Sequence, residues 1–130
     1  MGQHFTVSEA TDRDMFQFYG ARLQNPWEGL VAKIGNQIVG MGGVYANEAG
    51  EVVAFLDLRK WARKPSVYKY AFRLINEMKS RGCDEVVTSC DKRIPRASEF
   101  LSRLGFKPTD REEAGRQVWI WRAEKHGEKQ

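Results

Sequence analysis

Long hydrophobic runs are missing from this sequence, and so are paired cysteines and clustered metal ligands. No apolar stretch approaches the roughly 18–20 residues that a bilayer-spanning helix needs. Residues 1–7 show no basic region leading into an apolar one, so no signal peptide is expected. Cysteine is limited to Cys83 and Cys90. They flank one predicted strand, which at roughly 3.3 Å per residue holds them about 20 Å apart. A disulfide needs Cα atoms within about 7 Å, so free thiols and a cytoplasmic setting are expected. His4 and His126 lie near opposite ends, and no CxxC or HxxxH spacing is present. That pattern gives zinc no ligand set. There is no internal repeat and no low-complexity segment.

What is present suits one domain. The chain has 130 residues, 42% of them hydrophobic, enough for a single core. Residues 1–124 read as that domain and 125–130 as a flexible tail. The net charge of +4 is unevenly spread. Residues 59–82 hold Arg59, Lys60, Arg63, Lys64, Lys69, Arg73, Lys79 and Arg81 against Glu77 alone, a window of +7. The remainder is slightly acidic, which excludes an evenly basic, histone-like protein. One cationic element on a near-neutral domain suggests an anionic partner met locally.

Phe5, Thr6 and Val7 form a short strand. Thr11 or Asp12 caps a helix with Met15, Phe16, Tyr19 and Leu23 at helical spacing, and Asn25-Pro26 is expected to end it. Strands 27–34 and 37–46 meet across Gly35-Asn36. Gly40, Gly42 and Gly43 in the second predict a bulge or a close backbone approach. Strand 51–58 is apolar almost throughout and is expected to be covered on both faces. Pro65 opens a helix whose Val67, Ala71, Leu74, Ile75 and Met78 form one buried face, while Lys69, Arg73 and Glu77 lie on another. Gly82 ends it, and residues 85–89 make the next strand. Strand, helix and strand over this length imply a parallel pair with a right-handed crossover. A helix carrying Ala97, Phe100, Leu101 and Leu104 ends at Gly105. Strands 106–109 and 117–123 close the chain around a polar turn at 110–115, and one pair of the alternating Trp119, Trp121, Val118 and Ile120 belongs to the core. The fold class is α/β (α+β): a mixed, mostly antiparallel sheet with one central parallel βαβ crossover.

This order, with the phrase Arg96-Ala97-Ser98-Glu99-Phe100-Leu101-Ser102-Arg103-Leu104-Gly105-Phe106, resembles the GNAT superfamily of acetyl-CoA-dependent N-acetyltransferases over nearly the whole chain. The resemblance implies a pyrophosphate site where the crossover helix begins. There a helix N-terminus offers unpaired N–H groups and its positive dipole end. The family's Gln/Arg-x-x-Gly-x-Gly/Ala aligns with Arg63-Lys64-Pro65-Ser66-Val67-Tyr68, with Ser66 and Tyr68 standing where small residues are usual. By resemblance, Leu56, Leu58 and Arg59 offer groups to the pantetheine arm, and Arg63, Lys64, Ser66, Val67 and Tyr68 surround the phosphates. Lys69 or Arg59 meets the 3′-phosphate. The cofactor implied is acetyl-CoA, a form of coenzyme A.

Acetyl transfer needs a deprotonated amine and a protonated leaving thiolate. Where the family often has a Tyr in its last helix, this chain has Leu101, and Ile94 stands at a frequent Asn. The commonest base position falls near Val52, with Glu51 beside it on the opposite face. Asp57 is the candidate base, against a structural role. Ser89 and Cys90 are candidate proton donors, against packing. The function so implied is transfer of an acetyl group from acyl-CoA to an unknown amine, small molecule or protein, by an enzyme with no membrane partner. A homodimer is compatible with it. Short members with Pro in this loop resemble those encoded by bacteriophages, which allows a non-catalytic accessory or virion protein on the same fold. Nucleic-acid binding through residues 59–73, with Trp61 stacking on a base, is the third reading.

Overall fold

Residues 5–59, 69–70, 73, 76–77, 82–91, 93–94 and 96–123 are described by the computed structural model. The strands are β1 (Phe5–Glu9), β2 (Trp27–Ile34), β3 (Gln37–Ala46), β4 (Val52–Leu58), β5 (Glu85–Cys90), β6 (Lys107–Glu113) and β7 (Arg116–Arg122). Helix α1 (Asp12–Tyr19) follows β1, and α2 (Ala97–Leu104) follows β5. Between β4 and β5, the described residues Lys69, Tyr70, Arg73, Asn76 and Glu77 are helical. One seven-stranded sheet runs in the order β1-β2-β3-β4-β5-β7-β6. Its pairs are antiparallel except β4 with β5. This is the mixed sheet with a parallel crossover that the sequence predicts.

Local chemistry starts and stops α1. Thr11 Oγ1 accepts from the Asp14 N–H, and Asp14 Oδ2 accepts from the Thr11 N–H at 2.9 Å, a closed capping box. Gly20 at φ 77° ends the helix in a left-handed turn. The helix therefore stops at Tyr19, six residues before Asn25 and earlier than its hydrophobic spacing suggests, because the glycine cap acts before Pro26 does.

The glycines of β3 have two uses. The register with β2 slips between Ala32 and Lys33, opposite Gly40 and Ile38, which is a bulge. Further along, Gly29 and Gly43 face one another across the β2–β3 ladder. A Cβ on Gly43 would overlap the Glu28 carbonyl oxygen, and one on Gly29 would overlap that of Gly42.

Alternation divides β4 between two cores. Val52 and Ala54 pack on the cluster of Val86, Cys90, Phe106, Trp119 and Trp121, which α2 covers with Ala97, Leu101 and Leu104. Phe55 packs on the opposite cluster of Met15, Val31, Ile38 and Met41, under α1. Both Trp119 and Trp121 are buried, and Val118 is buried with them. The β4 end departs from the expected two-sided cover: Leu56 and Asp57 are exposed.

The closing hairpin is longer than expected. Strand β6 continues to Glu113 and turns at Ala114-Gly115, both at positive φ. Polar residues 110–113 stay in the strand because Arg111 Nη1 bonds Glu51 Oε2 at 2.8 Å and also pairs with Glu113. Thr109 Oγ1 donates to the Val118 carbonyl at 2.7 Å. Among the described residues, no helix is long and apolar enough to cross a membrane.

Candidate functional site

The parallel ladder between β4 and β5 registers only at Val53↔Val87. Beyond that rung β4 runs to Leu58 and β5 to Cys90 without further pairing, so an opening lies between two parallel strands. The phase of the β3–β4 ladder decides which groups face it. The Arg59 N–H donates to the Val39 carbonyl at 2.8 Å. Residues 53, 55 and 57 therefore turn their main-chain groups to β3, and residues 54, 56 and 58 turn theirs toward β5. Thr88 Oγ1 donates to the Ala54 carbonyl at 2.8 Å, in keeping with this phase. The next groups along, the Leu56 N–H and C=O, are directed into the opening.

An apolar cleft adjoins it, open to solvent. Ala54, Leu56, Leu58 and Thr88 line the sheet side, and Tyr70, Phe100 and Leu101 the helix side. Gly40 and Gly42 give the two leucines their room: a Cβ on either would press on the Leu58 or Leu56 side chain.

The rest of β4 faces α1. Tyr19, the last residue of α1, donates its hydroxyl to Asp57 Oδ2 at 2.6 Å. Burial, and then the neighbouring Asp57 carboxylate, push that hydroxyl well above its ordinary pKa. The Arg59 guanidinium lies 4.7 Å from the centre of the Phe18 ring, a cation–π contact on the same strand face. Of the sequence-predicted site residues, Leu56 and Leu58 thus line the cleft, while Asp57 and Arg59 sit on the α1 face. Ser89 is exposed. Its two-residue offset from Val87 puts it on the α1 face with Asp57, across the opening. Cys90 points the other way, into the core. Arg63, Lys64, Ser66, Val67 and Tyr68 lie outside the described residues, as do Trp61 and the 125–130 tail. Lys69 and Arg73 are exposed and bracket the Tyr70 ring at 5.6 and 5.5 Å.

Two nearby carboxylates are held in ion pairs. Glu51 is held below its ordinary pKa by Arg111, with help from Asn47, which fixes it as a tie between the β3–β4 loop and β6. Asp91, just past β5, is pulled to about 2 by Arg93, which binds it in a fork, with Arg116 adding its charge.

Sequence reasoning missed Tyr19 and Thr88. Tyr19 read only as part of an apolar stripe, and its hydroxyl is the one feature that marks it. Thr88 read as an ordinary β-branched strand residue. Together these residues form a strand edge with outward main-chain groups, an apolar cleft on one sheet face and a carboxylate on the other. Such a site can hold an extended, amide-bearing chain along Leu56 and bring its end near Asp57.

No protein-family model matches the sequence, and no curated protein matches it. Solved structures do match the fold. The ribosomal-protein-S18-alanine N-acetyltransferase of Escherichia coli superposes with a TM-score of 0.68 at 12% identity, covering 98% of this chain and 99% of its own. A Bacillus subtilis acetyltransferase in complex with CoA gives 0.61 at 13% identity, over 93% and 99%. A GNAT family acetyltransferase from Elizabethkingia anophelis with acetyl-CoA bound gives 0.62 at 12%, over 92% and 98%. At such identities the likeness establishes the fold: the chain has the architecture of the GNAT acyl-CoA N-acyltransferases.

Proposed function

We propose that this GNAT-fold chain binds acetyl-CoA in the opening between β4 and β5 and transfers the acetyl group to a primary amine. The observation that carries this is the single-rung parallel pair, with the Leu56 main-chain groups turned into the opening beside an apolar cleft. A pantetheine arm has the amides and the apolar carbons to meet both. Two neighbours of the same fold bear CoA or acetyl-CoA in their structures, which supports the reading.

Acetyl-CoA supplies an activated thioester. The chain's own residues then have three tasks. Leu56 and Leu58 align the arm, which converts a bimolecular encounter into a positioned one. Asp57 takes a proton from the incoming ammonium, exposing the nitrogen lone pair that bonds the acetyl carbon. Ser89, across the opening, donates a hydrogen bond to the sulfur as the C–S bond breaks. The second nitrogen proton leaves to the thiolate, so that a neutral amide and a thiol result. Arg63, Lys64, Ser66, Val67 and Tyr68 belong to this proposal as the phosphate-facing residues, on the helix-start chemistry given above.

Leu101 favours one rival reading. It lines the cleft where the resemblance places a tyrosine, so α2 brings no hydroxyl there. A non-catalytic acyl-CoA-binding protein on this fold, such as a phage accessory protein, follows if binding occurs without transfer. Isothermal titration with acetyl-CoA tests the main proposal. Heat and a rise in melting temperature are expected, and neither at millimolar ligand would sink it. Thiol release with any member of an amine panel rejects the rival.

A further inference from the structure

We infer that the acceptor side of the opening takes a protonated primary amine carried on an apolar or aromatic skeleton, bound by Asp57 beside the rings of Tyr19 and Phe55. The inference deepens the acyl-transfer reading, and its role rests on that reading.

The first observation is how Asp57 is partnered. Arg59 lies two residues away on the same strand face and is the natural ion-pair partner for it. Its guanidinium is instead held over Phe18 at 4.7 Å. Asp57 takes the neutral hydroxyl of Tyr19 on Oδ2, and among the described residues it has no ion pair and no hydrogen bond on Oδ1. Among the described residues the carboxylate is thus oriented by Tyr19 with no ion pair, and it is exposed.

The second observation is what surrounds it. The Tyr19 and Phe55 ring centres are 6.3 Å apart, and Phe18 stands 4.9 Å from Tyr19. Trp27 and Tyr45 back Phe55 at 6.4 and 6.2 Å. Tyr19 remains 41% exposed and Asp57 is exposed, so the cluster is open from solvent. Aromatic rings beside one carboxylate suit an ammonium group: the carboxylate accepts an N–H and the rings attract the cation and pack its carbons. A neutral alcohol leaves the charge uncompensated. An acceptor bearing an acid next to its amine meets repulsion from Asp57.

The test needs no turnover. Phenethylammonium and 2-phenylethanol, which share a skeleton, are titrated calorimetrically into the full-length protein at neutral pH. The ammonium should bind about tenfold or more tightly than the alcohol, as a charged hydrogen bond in an aromatic setting allows. In Asp57→Asn, which keeps an acceptor for Tyr19, the two should bind alike, with acetyl-CoA affinity and circular dichroism unchanged. Phenylalanine, which adds a carboxylate, should bind more weakly than phenethylammonium. Equal affinities for ammonium and alcohol in the native protein overturn the inference whatever the variant does. Tighter phenylalanine binding also overturns it, because Arg59 would then be serving a zwitterion. Acetyl-CoA heat without ammonium preference removes this inference alone, and ammonium preference without acetyl-CoA heat removes the acyl-transfer reading alone.

Discussion

The Tyr19 hydroxyl meets the Asp57 carboxylate at 2.6 Å, so the last residue of α1 is tied to the open end of β4. A helix end and a strand end, 38 residues apart, thereby share one hydrogen bond at the mouth of the proposed site.

That bond sets a titration. Burial and the Asp57 charge raise the Tyr19 pKa above its unfolded value of about 10. A raised folded pKa means that its stabilising contribution is intact below pH ~10 and is lost as the pH climbs beyond it. Ultraviolet absorbance should show one of the four tyrosines ionising after the rest. Asp57→Asn should bring it back toward the others. A single common transition in the native protein would refute the assignment.

Asp91 behaves in the opposite sense. Its folded pKa of about 2 lies below the ordinary aspartate value of 3.8, so its tie to Arg93 and Arg116 is present above pH 3.8 and lost as pH falls through 2. Carboxyl NMR should place its midpoint near that value. Removing Arg93 should move the midpoint upward. An unmoved midpoint would show that the fork is not its cause.

Two glycines in one strand should respond differently to alanine. In Gly43→Ala the new methyl meets backbone, the Glu28 carbonyl, which can yield only by distorting the ladder. A loss of about 2 kcal/mol or more is expected by denaturant unfolding. In Gly40→Ala the methyl meets the Leu58 side chain, which can turn away. Stability should fall less, and acetyl-CoA affinity should fall more, because Leu58 lines the cleft. Equal stability losses would show that the ladder is softer than drawn.

Trp119 carries the one buried side-chain N or O atom without a partner among the described residues, its indole Nε1. Trp119→Phe removes some apolar area but also an unsatisfied donor, whose burial costs about 1–3 kcal/mol. The two effects should nearly cancel, leaving stability within about 1 kcal/mol of the parent. A much larger loss on thermal unfolding would mean that the indole N–H is satisfied in solution, by water or by the protein.

Elements written in local chemistry were legible. The Thr11 cap, the turn at Gly35-Asn36 and the Gly105 stop depend on neighbours in sequence, and each appears in the fold; the parallel β4–β5 pair follows from the order of the elements. Where distant charges decide, the sequence said less. The polar run 110–113 reads as a turn until Arg111 is seen bonding Glu51 across 60 residues. Arg59 reads from the sequence as a candidate phosphate partner, and its place over the Phe18 ring is set by how α1 lies on the sheet. Tyr19 and Asp57 were each visible, one as a helix-stripe residue and one as a candidate base. Their pairing follows from how α1 lies on the sheet, which no local pattern encodes.

The single rung at Val53↔Val87 has a mechanical meaning. It divides the sheet into two parts, β1–β4 and β5–β7, whose backbone ladder is a single step; among the described residues the Thr88–Ala54 bond, the Arg111–Glu51 tie and the packing of Val52 and Ala54 on the β5–β7 core also join them. Of the described strand pairs, this β4–β5 seam has the fewest paired positions. A ligand lodged there, bonding to Leu56 and packed under the helices, takes the place of the missing rungs as an extra strand would. Occupancy and folding stability are then coupled, and the protein is most resistant to opening when it is loaded.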